Sequence, residues 1–218
     1  LTVSEHGNIY ALAGLLKEIL GVERIAFAIS SADFYCRKEH LDQPTLILGQ
    51  RVLAQSNLKH TAFTMGKYMA SFRPENIAWR MYPIADLRAL LLGALKAFRS
   101  SIPVPESDKA QVDAVARVIL AHGDSARREE LHRAVESFLE RGAMIDINAW
   151  ARNVELNVNR FGLAVSNDIE LSLAAMKGEG IYAEGLSPEA AVKDLLFYQV
   201  SAQYSRLKQV IGTALRVE

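Results

Sequence analysis

Residues 44–75 read PTLILGQRVLAQSNLKHTAFTMGKYMASFRPE, and their pattern decides the fold. A proline opens a short apolar run, Thr45–Gly49, bounded as a strand would be. A polar segment follows. From Asn57 to Phe72 apolar residues recur at helical spacing, with Gly66 mid-way. Asn57 is of a type that caps a helix start. Pro74 ends the helix, because a proline pushes the residue before it out of helical conformation.

Upstream, Ile9, Leu12, Ala13, Leu16 and Leu20 mark a helix that stops at Gly21. RIAFAIS (24–30) alternates as a strand does, and DFYCRKE (33–39) is a second strand that turns charged, as sheet edges do. Downstream the pattern is helical. Ala85–Phe98 is strongly apolar, and SSIPVPES (100–107) is the one Pro/Ser-rich break. Helices follow at 108–121, from Asp124-Ser125 to about Arg141, from Asp146 to about Val165, and from Asn167 or Asp168 onward. GEGIYAEGLSP (178–188) reads as a Gly-rich loop. Ser187-Pro188 starts a helix over about 188–201, and a last one spans 202–214. The expectation is an α+β fold: a small three-stranded sheet at about 24–50 packed on the helix 58–72, with the remainder helical. The chain reads as a single domain over 1–218, with sheet and central helix in 1–100 and a helical remainder in 101–218.

Composition narrows the function classes. Half of the 218 residues are hydrophobic, enough for a substantial core. Twenty-five basic and 25 acidic residues cancel, so nothing points to a nucleic-acid partner or an anionic membrane surface. No apolar run approaches the roughly 20 residues that span a bilayer. The single Cys36 excludes an internal disulfide and fits a reducing, cytoplasmic setting. The N-terminal residues read as no signal peptide, and native residues are expected to precede Leu1.

Several constellations fail on geometry. The five histidines include no i, i+4 pair, so a metal site would need long-range convergence. Cys36 and His40 lie on one strand about 13 Å apart, too far for a nucleophile–base hydrogen bond. The glycines at 178–185 precede no Lys-Ser/Thr and follow no strand, which argues against phosphate binding. Lys67 and Tyr68 stay open as an acid/base couple or as packing groups.

The 44–75 segment resembles the strand and active-site helix of HtpX-like zinc metallopeptidases, the gluzincins. On this chain the two zinc histidines fall at Lys67 and Ser71, and the glutamate base falls at Tyr68. The chemistry needs two neutral imidazoles one turn apart and a carboxylate between them. A lysine cation repels a divalent metal, and tyrosine, with a pKa of about 10, is a poor base near neutrality. WARNVELNVNRFGLAV, from Trp150 to Val165, resembles the later helix E-x-x-A-D-R-x-G of the same enzymes. There Glu155 keeps the third-ligand position, Val158 replaces the alanine, Asn159 stands where the family has an aspartate behind the ligands, and Arg160 and Gly162 remain. An ordinary pair of core helices with Glu155 as a solvated charge is the competing reading. The closing pattern Asp194, Leu195, Leu196, Phe197, Val200, Ser201, Tyr204 resembles the myxobacterial peptide-binding proteins of crocagin biosynthesis.

The resemblance implies a pseudo-metallopeptidase without metal or cofactor that keeps the substrate cleft. A precursor peptide of a ribosomally made, modified product would then bind extended along the edge strand 33–39, antiparallel to it. Phe34, Cys36, Lys67 and Tyr68 would face it with help from Arg160, and tailoring enzymes would be further partners. Two other functions stay open: a metal-independent enzyme using Lys67, Tyr68 and Glu155 for peptide cyclisation or rearrangement, and a helical adaptor. Protein purified without chelator is predicted to carry no stoichiometric zinc by elemental analysis. One zinc per chain would contradict the loss of the ligand set.

Overall fold

The structure, a computed structural model, describes residues 3–22, 24–33, 36–40, 43–55, 57–79, 81–122, 124–142, 144–180 and 183–212. Along the chain run α1 (Val3–Leu20), β1 (Ala26–Ser30), β2 (Cys36–His40), β3 (Pro44–Gly49), α2 (Gln50–Leu53), α3 (Leu58–Ala70), α4 (Ile84–Phe98), α5 (Lys109–His122) and α6 (Ser125–Glu140). Then come α7 (Ile147–Ser166), α8 (Ile169–Glu179), α9 (Pro188–Gln199) and α10 (Ala202–Val210). The fold is α+β and mostly helical. The chain divides into two compact units, Leu1–Ile77 with Ala151–Glu218, and Ala78–Trp150.

In the first unit the sheet order is β1-β3-β2. β1 pairs parallel with β3, Ala26 opposite Thr45 through Ser30 opposite Gly49. β2 pairs antiparallel with β3, Cys36 opposite Leu48 through His40 opposite Pro44. β3 is therefore central, which explains why TLILG shows no alternation. Thr45, Leu46 and Leu48 are buried and Ile47 partly so, as fits a central strand flanked on both edges and largely covered on its faces. The charged strand β2 takes an edge.

Helix starts follow the side chains that can cap them. Asn57 accepts from the Lys59 N–H, Asp124 from Arg127, Asp168 from Leu171, Ser187 from Ala190 and Ser201 from Tyr204. Asp146 Oδ1 likewise accepts from Ala149 N at 2.9 Å. Each such cap satisfies one of the orphan N–H groups of the first turn and is worth about 1 kcal/mol.

α3 is the hub of this unit. It packs on α1, on α8 and on β2. Every residue from Thr61 to Ala70 is buried, so α3 is not the amphipathic helix its sequence spacing suggests. Thr61, Thr64 and Lys67 occupy its polar positions, yet other elements cover those positions too. Phe63 joins Leu163, Ala175, Met176, Leu195, Tyr198 and Tyr204 in a core cluster drawn from α3, α7, α8, α9 and α10.

Two glycines set how closely α3 and α7 cross. A Cβ on Gly66 would stand 2.6 Å from Val165 Cγ2 and 3.5 Å from the Gly162 Cα. A Cβ on Gly162 would stand 2.8 Å from the Phe63 carbonyl oxygen and 2.9 Å from its ring. The Val165 methyl can rotate away, but the Phe63 carbonyl cannot without moving α3.

The second unit holds α4, α5 and α6. A Cβ on Gly93 would stand 2.4 Å from Val115 Cγ1, so α4 and α5 also cross at a glycine. Lys96–Asp113 at 2.5 Å ties the same two helices, Arg88 pairs at 2.7 Å with Asp108 just before α5, and Phe98 stacks on His132 of α6 at 4.8 Å. The Pro/Ser-rich break at 100–107 is the α4–α5 connection.

Gly162→Ala is predicted to destabilise the protein by about 1–3 kcal/mol through overpacking, read by chemical denaturation. Gly66→Ala, opposed only by a side-chain methyl, should cost less. Equal stability of Gly162→Ala and the native protein would contradict the close crossing.

Candidate functional site

The glycine crossing brings α7 against α3 beside Lys67. The Lys67 ammonium lies 3.2 Å from Glu155 Oε1 of α7 and donates to Glu179 Oε2 of α8 at 2.8 Å. All three side chains are inside the protein, exposed by 3% or less. Asn159, one turn after Glu155, donates its amide to Glu155 Oε1 at 3.4 Å. Tyr68 on α3 and Ser71 at its C-cap are buried too, and Ser71 Oγ donates to the Tyr68 carbonyl at 2.5 Å.

Local structure fixes each member. Lys67 projects from the last turn of α3. Glu179 is the final residue of α8, whose start is capped by Asp168 and whose end is closed by Gly180 at φ 61 with its N–H on the Met176 carbonyl. A left-handed residue there favours glycine, so α8 ends where the carboxylate meets Lys67.

Burying charges in this way is costly unless they are paired, and removing one partner leaves the other uncompensated. One ammonium faces two carboxyl groups, so with both ionised the cluster has an excess of negative charge. Among the described residues Glu179 Oε1 and Asn159 Oδ1 make no hydrogen bond. Glu179 also acts on its other neighbours. Burial first, and then the Glu179 carboxylate, push the Cys36 thiol far above its ordinary range. The thiol stays protonated at neutral pH and is a poor nucleophile. Burial and Arg51 hold His60 below its ordinary value, with Glu179 opposing them.

The structure thus brings Lys67, Glu155 and Asn159 together, with Tyr68 and Ser71 on the same helix. Glu155 is fully buried, which overturns its reading as a solvated charge. Cys36 lies on β2 with its side chain buried. Phe34 lies outside the described residues. Arg160 faces elsewhere: its guanidinium grips Asp194 of α9, Nε to Oδ2 at 2.9 Å with Nη2 bonded to Oδ1, and sits 5.2 Å over the Tyr198 ring.

Sequence reasoning missed Glu179. It is the second residue of the GEGIYAEG stretch, which reads as a loop from Gly178 onward. The usable signal was Gly180, a helix-closing glycine eleven residues after Ile169, counted inclusively to Glu179. Among the described residues no group of three or more His, Cys, Asp or Glu is placed to hold a metal ion. No helix among them is long and apolar enough to cross a membrane. Comparison with models of known protein families gives no match. Comparisons with curated proteins and with solved structures give none either.

Lys67→Met is predicted to cost about 3–5 kcal/mol in denaturant unfolding, because two buried carboxylates lose their cation. The triple variant Lys67→Met/Glu155→Leu/Glu179→Leu should recover most of that loss, since an apolar replacement leaves no charge stranded. A harmless single substitution, or a triple variant no better than the single, would contradict a paired internal cluster.

Proposed function

We propose that this chain is a non-catalytic peptide-binding protein built on a degenerate zinc-protease scaffold. Its ligand is an extended peptide, taken to be the precursor of a ribosomally made and modified product. The observation that carries this is the meeting of Lys67 with Glu155 at 3.2 Å. In the metallopeptidase resemblance these are the positions of a zinc histidine and of the glutamate ligand, which converge on the metal. An ammonium held by carboxylates supplies there the positive charge that the metal would supply, without its open coordination position.

The burial of the cluster supports binding over chemistry. Lys67, Tyr68 and Glu155 are all inside the protein, so a peptide bond has no direct access to them. It also changes the part given to Cys36, Lys67 and Tyr68. Cys36 is a buried residue of the edge strand itself, Lys67 and Tyr68 are buried on the helix that strand rests on, and the peptide is held chiefly through backbone groups. β2 pairs with β3 alone among the described residues and rests on α3, which fits strand addition on its outer side.

Successive strand residues point their N–H groups alternately at β3 and outward. Of Arg37→Pro and Lys38→Pro, the outward one deletes a donor to the peptide and the inward one a donor to β3. Titration of a candidate precursor peptide is predicted to show about a tenfold loss of affinity in the outward variant with stability retained, the equivalent of one hydrogen bond. The inward variant should lose stability. Unchanged affinity in every variant that stays folded would remove β2 as the docking edge, and release of a shortened or rearranged peptide would favour an enzyme.

A further inference from the structure

The closing segment Asp194–Tyr204 has two faces, and packing accounts for only one. Asp194 pairs with Arg160, and Leu195, Tyr198 and Tyr204 are core. Leu196, Phe197 and Val200 are 44%, 64% and 81% exposed. Val192, Leu196 and Val200 recur every fourth residue, which places them along one side of α9 and its C-cap. Clustered exposed apolar side chains of this kind mark interaction surfaces.

This stripe borders an open groove of about 610 Å³ between α8 and α9. Leu173, Val192 and Leu196 give the groove its apolar floor, and Lys177 and Lys193 stand on it against one acid, Glu189. Lys193 also lies 5.8 Å over the exposed Phe197 ring, so cation and apolar surface are continuous.

We infer that this groove docks an acidic amphipathic helix of a partner polypeptide. The groove walls are helices whose backbone groups bond within themselves, so an extended chain would find no ladder to join. A helix brings its own satisfied backbone and an apolar face for Leu173, Val192 and Leu196. Acidic residues flanking that face meet Lys177 and Lys193, whose two charges outnumber the one on Glu189. The surface is distinct from β2 and stands on its own observations.

The test uses the full chain and two labelled synthetic helical peptides, each with leucines at i, i+3, i+4 and i+7. One carries flanking glutamates and the other lysines. Fluorescence anisotropy is expected to show saturable binding of the glutamate peptide, weakened about tenfold or more by Leu196→Glu and by Lys177→Glu/Lys193→Glu. The lysine peptide should bind the native protein more weakly and prefer the charge-reversed variant. All three positions are exposed or rim the groove, so circular dichroism melting should stay that of the native protein. Absence of saturable binding, equal binding of both peptides, or a dimer that Leu196→Glu dissolves and the glutamate peptide does not displace would each overturn the inference.

Discussion

The packing of the first unit depends on the ion cluster between Lys67, Glu155 and Glu179. These three charges come from α3, α7 and α8, and none reaches water. Such groups are tolerated only where their partners are held in place. The cluster therefore demands a fixed crossing of α3 and α7, and the glycines at 66 and 162 permit it. It demands a fixed end to α8, and Gly180 supplies that. Apolar packing of Phe63, Leu163 and Met176 then closes the surrounding core. The hydrophobic effect supplies most of the stabilisation in such a unit, but it is non-directional. The ion cluster is directional, and losing any one partner would strand a buried charge, so it would favour one register of the three helices over others that bury similar area.

Function in the proposed reading follows from that same substitution of charge. A metal ion in a protease is both a structural tie and a reaction centre. In that reading a lysine between carboxylates would keep the tie and drop the reaction centre, since an ammonium offers no vacant coordination position and activates no water. The structure has a sheet with an edge strand, β2, resting on the hub helix. A scaffold of that kind can hold an extended peptide through its backbone while leaving the peptide intact.

Much of the fold was legible because its signals are local. The alternating 24–30, the charged 33–39 and the apolar run 45–49 read directly as strands, which the structure places at Ala26–Ser30, Cys36–His40 and Pro44–Gly49, and β2 reads as an edge from its charges. The helix starts at Asn57, Asp124, Asp146, Asp168 and Ser187 were legible because a cap is a side-chain-to-backbone bond within three residues. The pairing of Lys67 with Glu155 is a contact between residues far apart in sequence, and only the resemblance to metallopeptidase ligand positions pointed to it. Glu179 had no motif, and the glycines on both sides of it read as loop. The burial of α3 on every side from Thr61 to Ala70 was hidden as well, because a helix covered by several partners can still carry polar residues at amphipathic spacing.

The claim that the ion cluster stands in a vanished zinc site is most directly tested by rebuilding the ligands. A variant combining Lys67→His, Tyr68→Glu and Ser71→His places two imidazoles one turn apart on α3, facing Glu155, with a carboxylate between them. Zinc titration of that variant, followed by elemental analysis after dialysis, is predicted to show stoichiometric metal and a stability gain on binding that the native chain lacks. A folded variant that takes up no more zinc than the native protein would contradict the claim that these positions converge as a metal site does.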